Sequence, residues 1–168
     1  NISFEAFDFL FDISRIGGGL FIEHNAGLEN LSDLGIGNLQ TIGGRLTVSS
    51  NAALKSLAGL ENIQSVNGDL DISGNDRLIS LSGLEQLWAV GGELSVTYNE
   101  SLVSLSALDG IQSVADELYI SGNGSLTSLT GLESIRSIGD DLSISNNDSL
   151  ISLTGIENVQ TIGHDVDI

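Results

Sequence analysis

Hydrophobic and polar positions alternate in a short pattern that returns along most of the chain. In the segment 66–75, Leu70 and Ile72 are apolar, whereas Asp71 and Ser73 are polar. A period of two is typical of a half-buried strand, so we expect Leu70 and Ile72 to face a core and Asp71 and Ser73 to face water. The pattern recurs every 24 residues, apart from one two-residue insertion. Equivalent segments begin at Ile16, Ile42, Val90, Val114, Ile138 and Ile162.

After this strand, apolar residues come every three positions, at Leu78, Leu81, Leu84, Leu87 and Val90. This spacing matches neither one face of an α-helix nor a single long strand. Because Ser, Thr, Gly and β-branched residues are common, we expect three short strands per turn, separated by corners, and no helix longer than one turn. No such unit can bury its apolar side alone. Successive coils must therefore stack at about 4.8 Å, the spacing of paired strands.

The repeat predicts an all-β fold, a β-helix or solenoid of about seven 24-residue coils that makes residues 1–168 a single domain. Residues 1–24 are predicted to form a divergent, Phe-rich first coil, because Phe4 and Phe7 take positions held elsewhere by leucine. Residues 25–168 are regular repeats, of which the last is truncated.

The two ends of the chain are unusual for a closed domain. The first residue is not Met, and the repeat stops at Ile168, a position that lies inside the predicted strand. A strand edge that is left open pairs readily with another chain. We therefore expect either a piece of a longer solenoid or a subunit that stacks end to end.

One column of identical polar residues runs through the repeats at the corner that follows the strand. A side-chain amide at this corner can donate to and accept from backbone groups of neighbouring coils. We predict that the column is a structural ladder, which pairs backbone groups that the corner would otherwise leave buried without partners. The ladder residues are Asn25, Asn51, Asn75, Asn99, Asn123 and Asn147.

The pattern G-[GD]-x-L-x-I-S-x-N-x-x-L-x-S-L-x-G-L-E covers nearly the whole chain and resembles the receptor L-domain-like repeats. These are relatives of leucine-rich repeats, found in growth-factor receptor ectodomains, fungal cell-wall proteins and bacterial surface proteins. The chain lacks the cysteines of the receptor domains, and its regular repeats are closest in style to bacterial surface repeats. The resemblance implies a right-handed β-helix on a secreted or cell-surface protein, outside the cell.

The charge of the chain narrows the choice of partners. With 23 acidic and 5 basic residues, the net charge is −18. Nucleic acids and anionic membranes are excluded as partners, because both require a cationic surface. Stacking of the coils aligns many carboxylates in two columns. The first column contains Asp69, Glu93, Glu117, Asp141 and Asp165, and the second contains Glu61, Glu85, Asp109, Glu133 and Glu157.

The acidic columns have two interpretations. One is a solvated acidic face, in which case the protein needs no cofactor; the other is binding of Ca²⁺, which takes several carboxylate oxygens. For the second interpretation, the candidate ligands are Asp69, Glu93, Glu117 and Asp141. The sequence contains neither an EF-hand loop nor the glycine-rich nonapeptide of calcium-binding β-helices.

The pattern offers little to build a catalytic site. All but one repeat have the same length, so no long loops are available to form a cleft. His24 and His164 are predicted to lie about six coils apart, which prevents them from acting together. We therefore expect a protein that is not an enzyme.

A few aromatic residues are predicted to face outward, namely Phe21, Trp88, Tyr98 and Tyr119. Two of them, Tyr98 and Tyr119, fall on or beside the same strand face in neighbouring coils, near Asp71 and Thr97. We take Tyr98, Tyr119, Asp71 and Thr97 as the candidate binding residues. They are suited to a shallow patch for a sugar or a protein.

These features together predict a non-enzymatic binding or adhesion module of a surface or secreted protein. Its partner is a protein or a glycan at a cell surface, bound on an extended solenoid face. The alternative is structural: a stalk spacer, or a filament subunit whose partner is another copy of itself, end to end. Rods or filaments without a saturable ligand would favour the structural alternative.

Overall fold

The computed structural model describes residues 12–168 and contains two parallel sheets that run along a solenoid. Each sheet has seven strands, so the coil returns six times. This confirms the predicted all-β solenoid and its repeat of 24 residues. The number of turns, about six, is close to the seven coils expected. Phe4 and Phe7 of the predicted Phe-rich first coil lie outside the described residues.

One sheet, called here the short-strand sheet, consists of two-residue strands. They are β1 (Arg15–Ile16), β3 (Thr41–Ile42), β5 (Ser65–Val66), β7 (Ala89–Val90), β9 (Ser113–Val114), β11 (Ser137–Ile138) and β13 (Thr161–Ile162). The other, the long-strand sheet, has four-residue strands except for its last member. They are β2 (Leu20–Glu23), β4 (Leu46–Ser49), β6 (Leu70–Ser73), β8 (Leu94–Thr97), β10 (Leu118–Ser121), β12 (Leu142–Ser145) and β14 (Val166–Asp167). Strands pair in register, so equivalent residues of successive coils lie side by side.

The third side of each coil differs from the prediction of three strands. It contains no named strand within residues 12–168. An isolated bridge joins Ser80 and Ser104, single backbone hydrogen bonds such as that from Ile79 to Lys55 at 3.2 Å join further coils, and the rest consists of tight turns. Within these turns each N–H donates to the carbonyl three residues earlier, from Leu84 to Leu81 at 3.2 Å and from Leu87 to Leu84 at 2.9 Å. Apolar residues spaced three apart therefore all point inward, because each turn brings the chain back to the core.

A glycine controls the form of these turns. Gly83 adopts φ +115°, in the region that disfavours other residues, and a Cβ at this position would collide with the carbonyl oxygen of the preceding coil. Where Asp33 and Ala107 replace the equivalent glycine, the turn becomes a 3-10 helix, at Ser32–Leu34 and Ser106–Leu108 respectively. A single position of the repeat thus decides which turn forms.

The core is one continuous column of leucine, isoleucine and valine side chains along the axis of the solenoid. Leu70 and Ile72 are fully buried, as predicted, and so are Leu78, Leu84 and Leu87 from the third side. Truncation of such a buried side chain to Ala costs about 2–5 kcal/mol of folding free energy. The periodic apolar pattern is therefore the main source of stability.

The asparagine ladder is confirmed. Asn51, Asn75, Asn99 and Asn123 are fully buried, and each accepts a hydrogen bond at its side-chain oxygen from the backbone N–H of the ladder residue one coil earlier. The side-chain nitrogen of each donates to a backbone carbonyl of the preceding coil, from Asn99 to Ile72 at 2.9 Å for example. No buried side-chain nitrogen or oxygen lacks a partner in the described part of the chain.

Candidate functional site

The candidate binding residues lie on or beside the outer face of the long-strand sheet. Tyr119 on β10 is in register with Ser95 on β8, and Ser95 is in register with Asp71 on β6, so these three form one row across neighbouring coils. Thr97 lies at the end of β8 but is only 6% exposed. The structure therefore brings Asp71 and Tyr119 into the same row, with Thr97 contributing little accessible surface.

Tyr98 directly follows β8 and has an unusual backbone conformation. Its φ is 54°, and its side chain is 60% exposed. The ring lies against the next coil, because a Cβ built on Gly122 would be 2.7 Å from Cδ1 of Tyr98. The aromatic side chain is thus held on the surface of the solenoid instead of extending freely into solvent.

The residue before each ladder asparagine always has a left-handed backbone conformation. The column contains His24, Ser50, Gly74, Tyr98, Gly122 and Asn146, with φ between 54° and 68°. Glycine, which adopts this conformation without strain, is present at two of these positions. Sequence analysis missed this feature, although the glycines of the column were a signal for it.

Asp71 forms an ion pair with Arg45. The Nη2 of Arg45 lies 3.0 Å from Oδ2 of Asp71, and its Nη1 lies 3.9 Å from Oδ2 of Asp69. Arg45 occupies the position in its coil that Asp69 occupies in the next, at the start of the first acidic column. Part of the negative charge at this end of the candidate patch is therefore neutralised.

The first acidic column is tied into the backbone of neighbouring coils. Oδ1 of Asp69 accepts the backbone N–H of Glu93 at 3.1 Å, and Oδ1 of Asp141 accepts that of Asp165 at 2.8 Å. Partial burial raises the pKa of Glu93, and the neighbouring carboxylates of Glu117 and Asp69 raise it further. Burial and the regular spacing of the column thus act together on the carboxyl of Glu93.

One end of this column brings a histidine close to carboxylates. Asp140, Asp141 and His164 each present a ligand atom, and these atoms lie within 4.8 Å of one another. Nδ1 of His164 and Oδ1 of Asp140 are hydrogen-bonded, and this contact raises the pKa of the imidazole. Of the four predicted Ca²⁺ ligands, only Asp141 belongs to such a group within residues 12–168.

The second acidic column has a structural role that sequence analysis missed. Glu85 accepts the backbone N–H of Gly83 at 2.9 Å, and Glu133 accepts that of Gly131 at 2.7 Å. The carboxylate of Glu157 accepts hydrogen bonds from its own backbone N–H and from that of Gly155, and both lower its pKa. Each glutamate therefore caps the left-handed glycine two residues earlier, and the motif G-L-E in the sequence was a signal for this turn.

The two-residue insertion produces an open depression on the surface. It encloses about 350 Å³ and is lined in part by Gly35, Gly37 and Glu61. The carboxylate of Glu61 accepts the N–H of Gly59 at 2.9 Å, so it serves the turn in its own coil. Ser32 and Asn38 line the depression as well, so it combines hydroxyl, amide and carboxylate groups.

Comparison with known proteins does not assign the chain to a family. Models of protein families, curated proteins and solved structures all yield no match. Within residues 12–168, no helix has both the length and the apolar character needed to cross a bilayer.

Proposed function

We propose that the chain is a non-enzymatic binding or adhesion module of a secreted or surface-exposed protein, which uses the long-strand face around Tyr98 and Tyr119. Its partner is a protein or a glycan at a cell surface. The extracellular location follows from the resemblance of the repeat to receptor L-domain-like repeats. The proposal itself is carried by one observation, the exposure of Tyr98 on a strained backbone.

A left-handed conformation costs a residue other than glycine about 1–2 kcal/mol. The coils on either side have Gly74 and Gly122 at the position of Tyr98, which shows that the fold accepts a glycine there. A bulky, exposed aromatic residue at such a position adds strain and removes little apolar surface from water. His24, Ser50 and Asn146 share the left-handed backbone conformation in their own coils, so the feature particular to Tyr98 is its exposed phenol ring.

The surroundings of Tyr98 suit a flat, shallow contact. Ser95 and Thr97, on the strand that precedes it, are small and only 7% and 6% exposed, so neither presents a large side chain beside the ring. Tyr119 lies one coil further along on the same sheet, half-buried. Two tyrosines combine apolar area with hydroxyl groups, which is the composition of many recognition surfaces.

The test separates binding from stability. Immobilised glycans and extracellular-matrix proteins are screened with the parent protein, and the strongest ligand is titrated with Tyr98→Gly and Tyr119→Ala. We expect each variant to bind about tenfold more weakly, which corresponds to the loss of one central aromatic contact. Tyr98→Gly should keep the unfolding midpoint of the parent or raise it, because glycine relieves the strain.

The matched control is Phe21→Ala, which removes an aromatic residue of similar exposure from the same sheet, on β2, three strands away from β8. It should bind this ligand like the parent. Equal affinity of the parent and both tyrosine variants for every ligand in the screen contradicts the proposal.

A second candidate function is a stalk element or an end-to-end filament subunit. The in-register parallel pairing of successive coils along the solenoid supports it, because the same pairing can join one copy to the next. Negative-stain images over a range of concentrations test this function: rods that lengthen with concentration support it, and uniform single particles contradict it.

A further inference from the structure

A surface without charge runs along the short-strand side of the solenoid. Segments 62–68, 86–92 and 110–115 belong to three successive coils and contain no acidic or basic residue. The second acidic column borders them on one side and the first acidic column on the other. We call these three segments the neutral face. Such a face is notable in a chain whose net charge is −18.

Trp88 lies at the centre of the neutral face and is 60% exposed. It precedes β7, and its backbone N–H donates to the carbonyl of Gln64 in the preceding coil at 3.1 Å. This hydrogen bond places Trp88 next to Gln64, and the pairing of Val90 with Val114 two residues further on continues the row to Gln112, at the strand spacing of about 4.8 Å. The indole therefore has an amide side chain on each side.

The amides of the neutral face are available to a ligand. Gln64, Gln86 and Gln112 are exposed, and their side chains make no hydrogen bond to any residue between 12 and 168. Each carries a donor nitrogen and an acceptor oxygen. Beside Trp88, the chain continues with Ala89 and then glycines at 91 and 92, so no large side chain stands between the indole and the first acidic column.

We propose that the neutral face binds an uncharged polysaccharide chain, with Trp88 packed against the C–H face of a sugar ring. The amides of Gln64 and Gln112 exchange hydrogen bonds with the hydroxyl groups of the sugars on either side. An exposed indole offers a large apolar surface together with one N–H donor, which matches a sugar ring with its apolar faces and polar rim.

Charge selects against other ligands. An anionic glycan or an acidic protein would lie between two columns of carboxylates and would be repelled by both. A cationic ligand would be drawn to the columns themselves, away from the indole. A protein interface of ordinary stability buries about 800 Å² on each partner and has several apolar anchors, whereas this face has a single large one. A neutral, hydroxyl-rich chain therefore fits the face best.

The experiment uses the emission of Trp88, since it is the only tryptophan in the sequence. The protein is titrated with cello-, manno-, xylo- and chito-oligosaccharides, and with oligogalacturonide as the anionic comparison. We expect at least one neutral oligosaccharide to change the emission saturably and the oligogalacturonide to have no effect. Retention on the corresponding immobilised polysaccharide measures the variants that lack the fluorophore.

Trp88→Ala should weaken retention by about tenfold or more, and Trp88→Tyr should restore part of it. Gln64→Ala and Gln112→Ala should each weaken it by about fivefold, as expected for a lost hydrogen bond. Because these side chains are exposed, all four variants should keep the circular dichroism spectrum and unfolding midpoint of the parent. Phe21→Ala removes an exposed aromatic side chain from the long-strand sheet and should bind the polysaccharide like the parent.

Two outcomes overturn the proposal. One is the absence of any change in Trp88 emission with all four neutral oligosaccharides at millimolar concentration. The other is retention of Trp88→Ala equal to that of the folded parent, which would assign the binding to another surface.

Discussion

The asparagine ladder offers the sharpest test of what holds the coils together, and Asn99→Ala removes its central member. The side-chain oxygen of Asn99 accepts the N–H of Asn75 at 3.1 Å. Its side-chain nitrogen donates to the carbonyls of Ile72 at 2.9 Å and Thr97 at 3.0 Å, and to Oδ1 of Asn123 at 3.3 Å. The substitution therefore removes the partner of the buried N–H of Asn75 and the side-chain donor to the carbonyl of Ile72. The carbonyl of Thr97 and Oδ1 of Asn123 keep the backbone N–H groups of Gly74 and residue 99 as donors.

The magnitude follows from these groups. A buried backbone donor or acceptor left unpaired costs about 1–3 kcal/mol. Asn99→Ala removes the side-chain partners of the N–H of Asn75 and the carbonyl of Ile72. We therefore expect the free energy of unfolding to fall by about 3–5 kcal/mol. The matched control is Asn25→Ala at the exposed end of the ladder, where, within residues 12–168, the side chain donates only to the carbonyl of Glu23 at 3.0 Å. Asn25→Ala should lower the free energy of unfolding by about 1 kcal/mol or less.

Urea denaturation measures both variants. With a slope of about 2 kcal/mol per M, a loss of about 4 kcal/mol moves the midpoint down by about 2 M. Circular dichroism reports all coils, whereas the emission of Trp88 reports the region next to the substitution. Coincidence of the two curves establishes that the solenoid unfolds as one unit, as the calculation assumes.

Asn99→Asp separates hydrogen bonding from packing, because it keeps the size of the side chain. Burial should raise the pKa of the new carboxyl, so the variant should be closest to the parent at low pH and lose stability as the pH rises through that pKa. A loss for Asn99→Ala no greater than that for Asn25→Ala would refute the conclusion that the ladder stabilises the stacked coils.

Three further predictions concern turns and charge. Gly83→Ala should lower the free energy of unfolding by about 3 kcal/mol, because of backbone strain and collision with the preceding coil. Gly27→Ala, which has open space around it, should leave the free energy of unfolding almost unchanged in the same urea assay. Glu93→Gln should be more stable than the parent at neutral pH. The raised pKa of Glu93 removes stability from the parent as the pH rises from the ordinary glutamate pKa to the raised value, and glutamine does not ionise. A difference in stability between variant and parent that is the same at pH 4 and pH 7 contradicts this. The calcium hypothesis predicts that millimolar Ca²⁺ at constant ionic strength raises the melting temperature of the parent but not that of Asp141→Asn, and an unchanged parent eliminates it.

Much of the fold could be predicted from the sequence because neighbouring coils repeat the same residues. Parallel stacking in register places each residue beside its own equivalent, so Asn75, Asn99 and Asn123 form a ladder as soon as the period is known. The alternation around Leu70 and Ile72 likewise defines a strand with one buried face. Periodicity is informative here because every contact between coils joins identical positions of the repeat.

The candidate site was only partly predictable. The sequence indicated that Tyr98 and Tyr119 lie in neighbouring coils near one face, which depends only on the period. It did not indicate that Tyr98 is left-handed or that Thr97 is buried, since backbone conformation and burial depend on the coils above and below. The sequence predicted that Trp88 faces outward, whereas the exposure of Gln64 and Gln112 on either side of it came only from the structure.

The sequence by itself determined the all-β solenoid, its 24-residue period, the buried leucines and the asparagine ladder, because these depend on residues that recur at fixed intervals. Only the tertiary structure decided that the third side consists of turns and that one acidic column caps glycines. It alone showed that Asp141 lies beside Asp140 and His164. These features depend on how a turn closes against the adjacent coil, a contact in three dimensions that spacing along the chain does not specify.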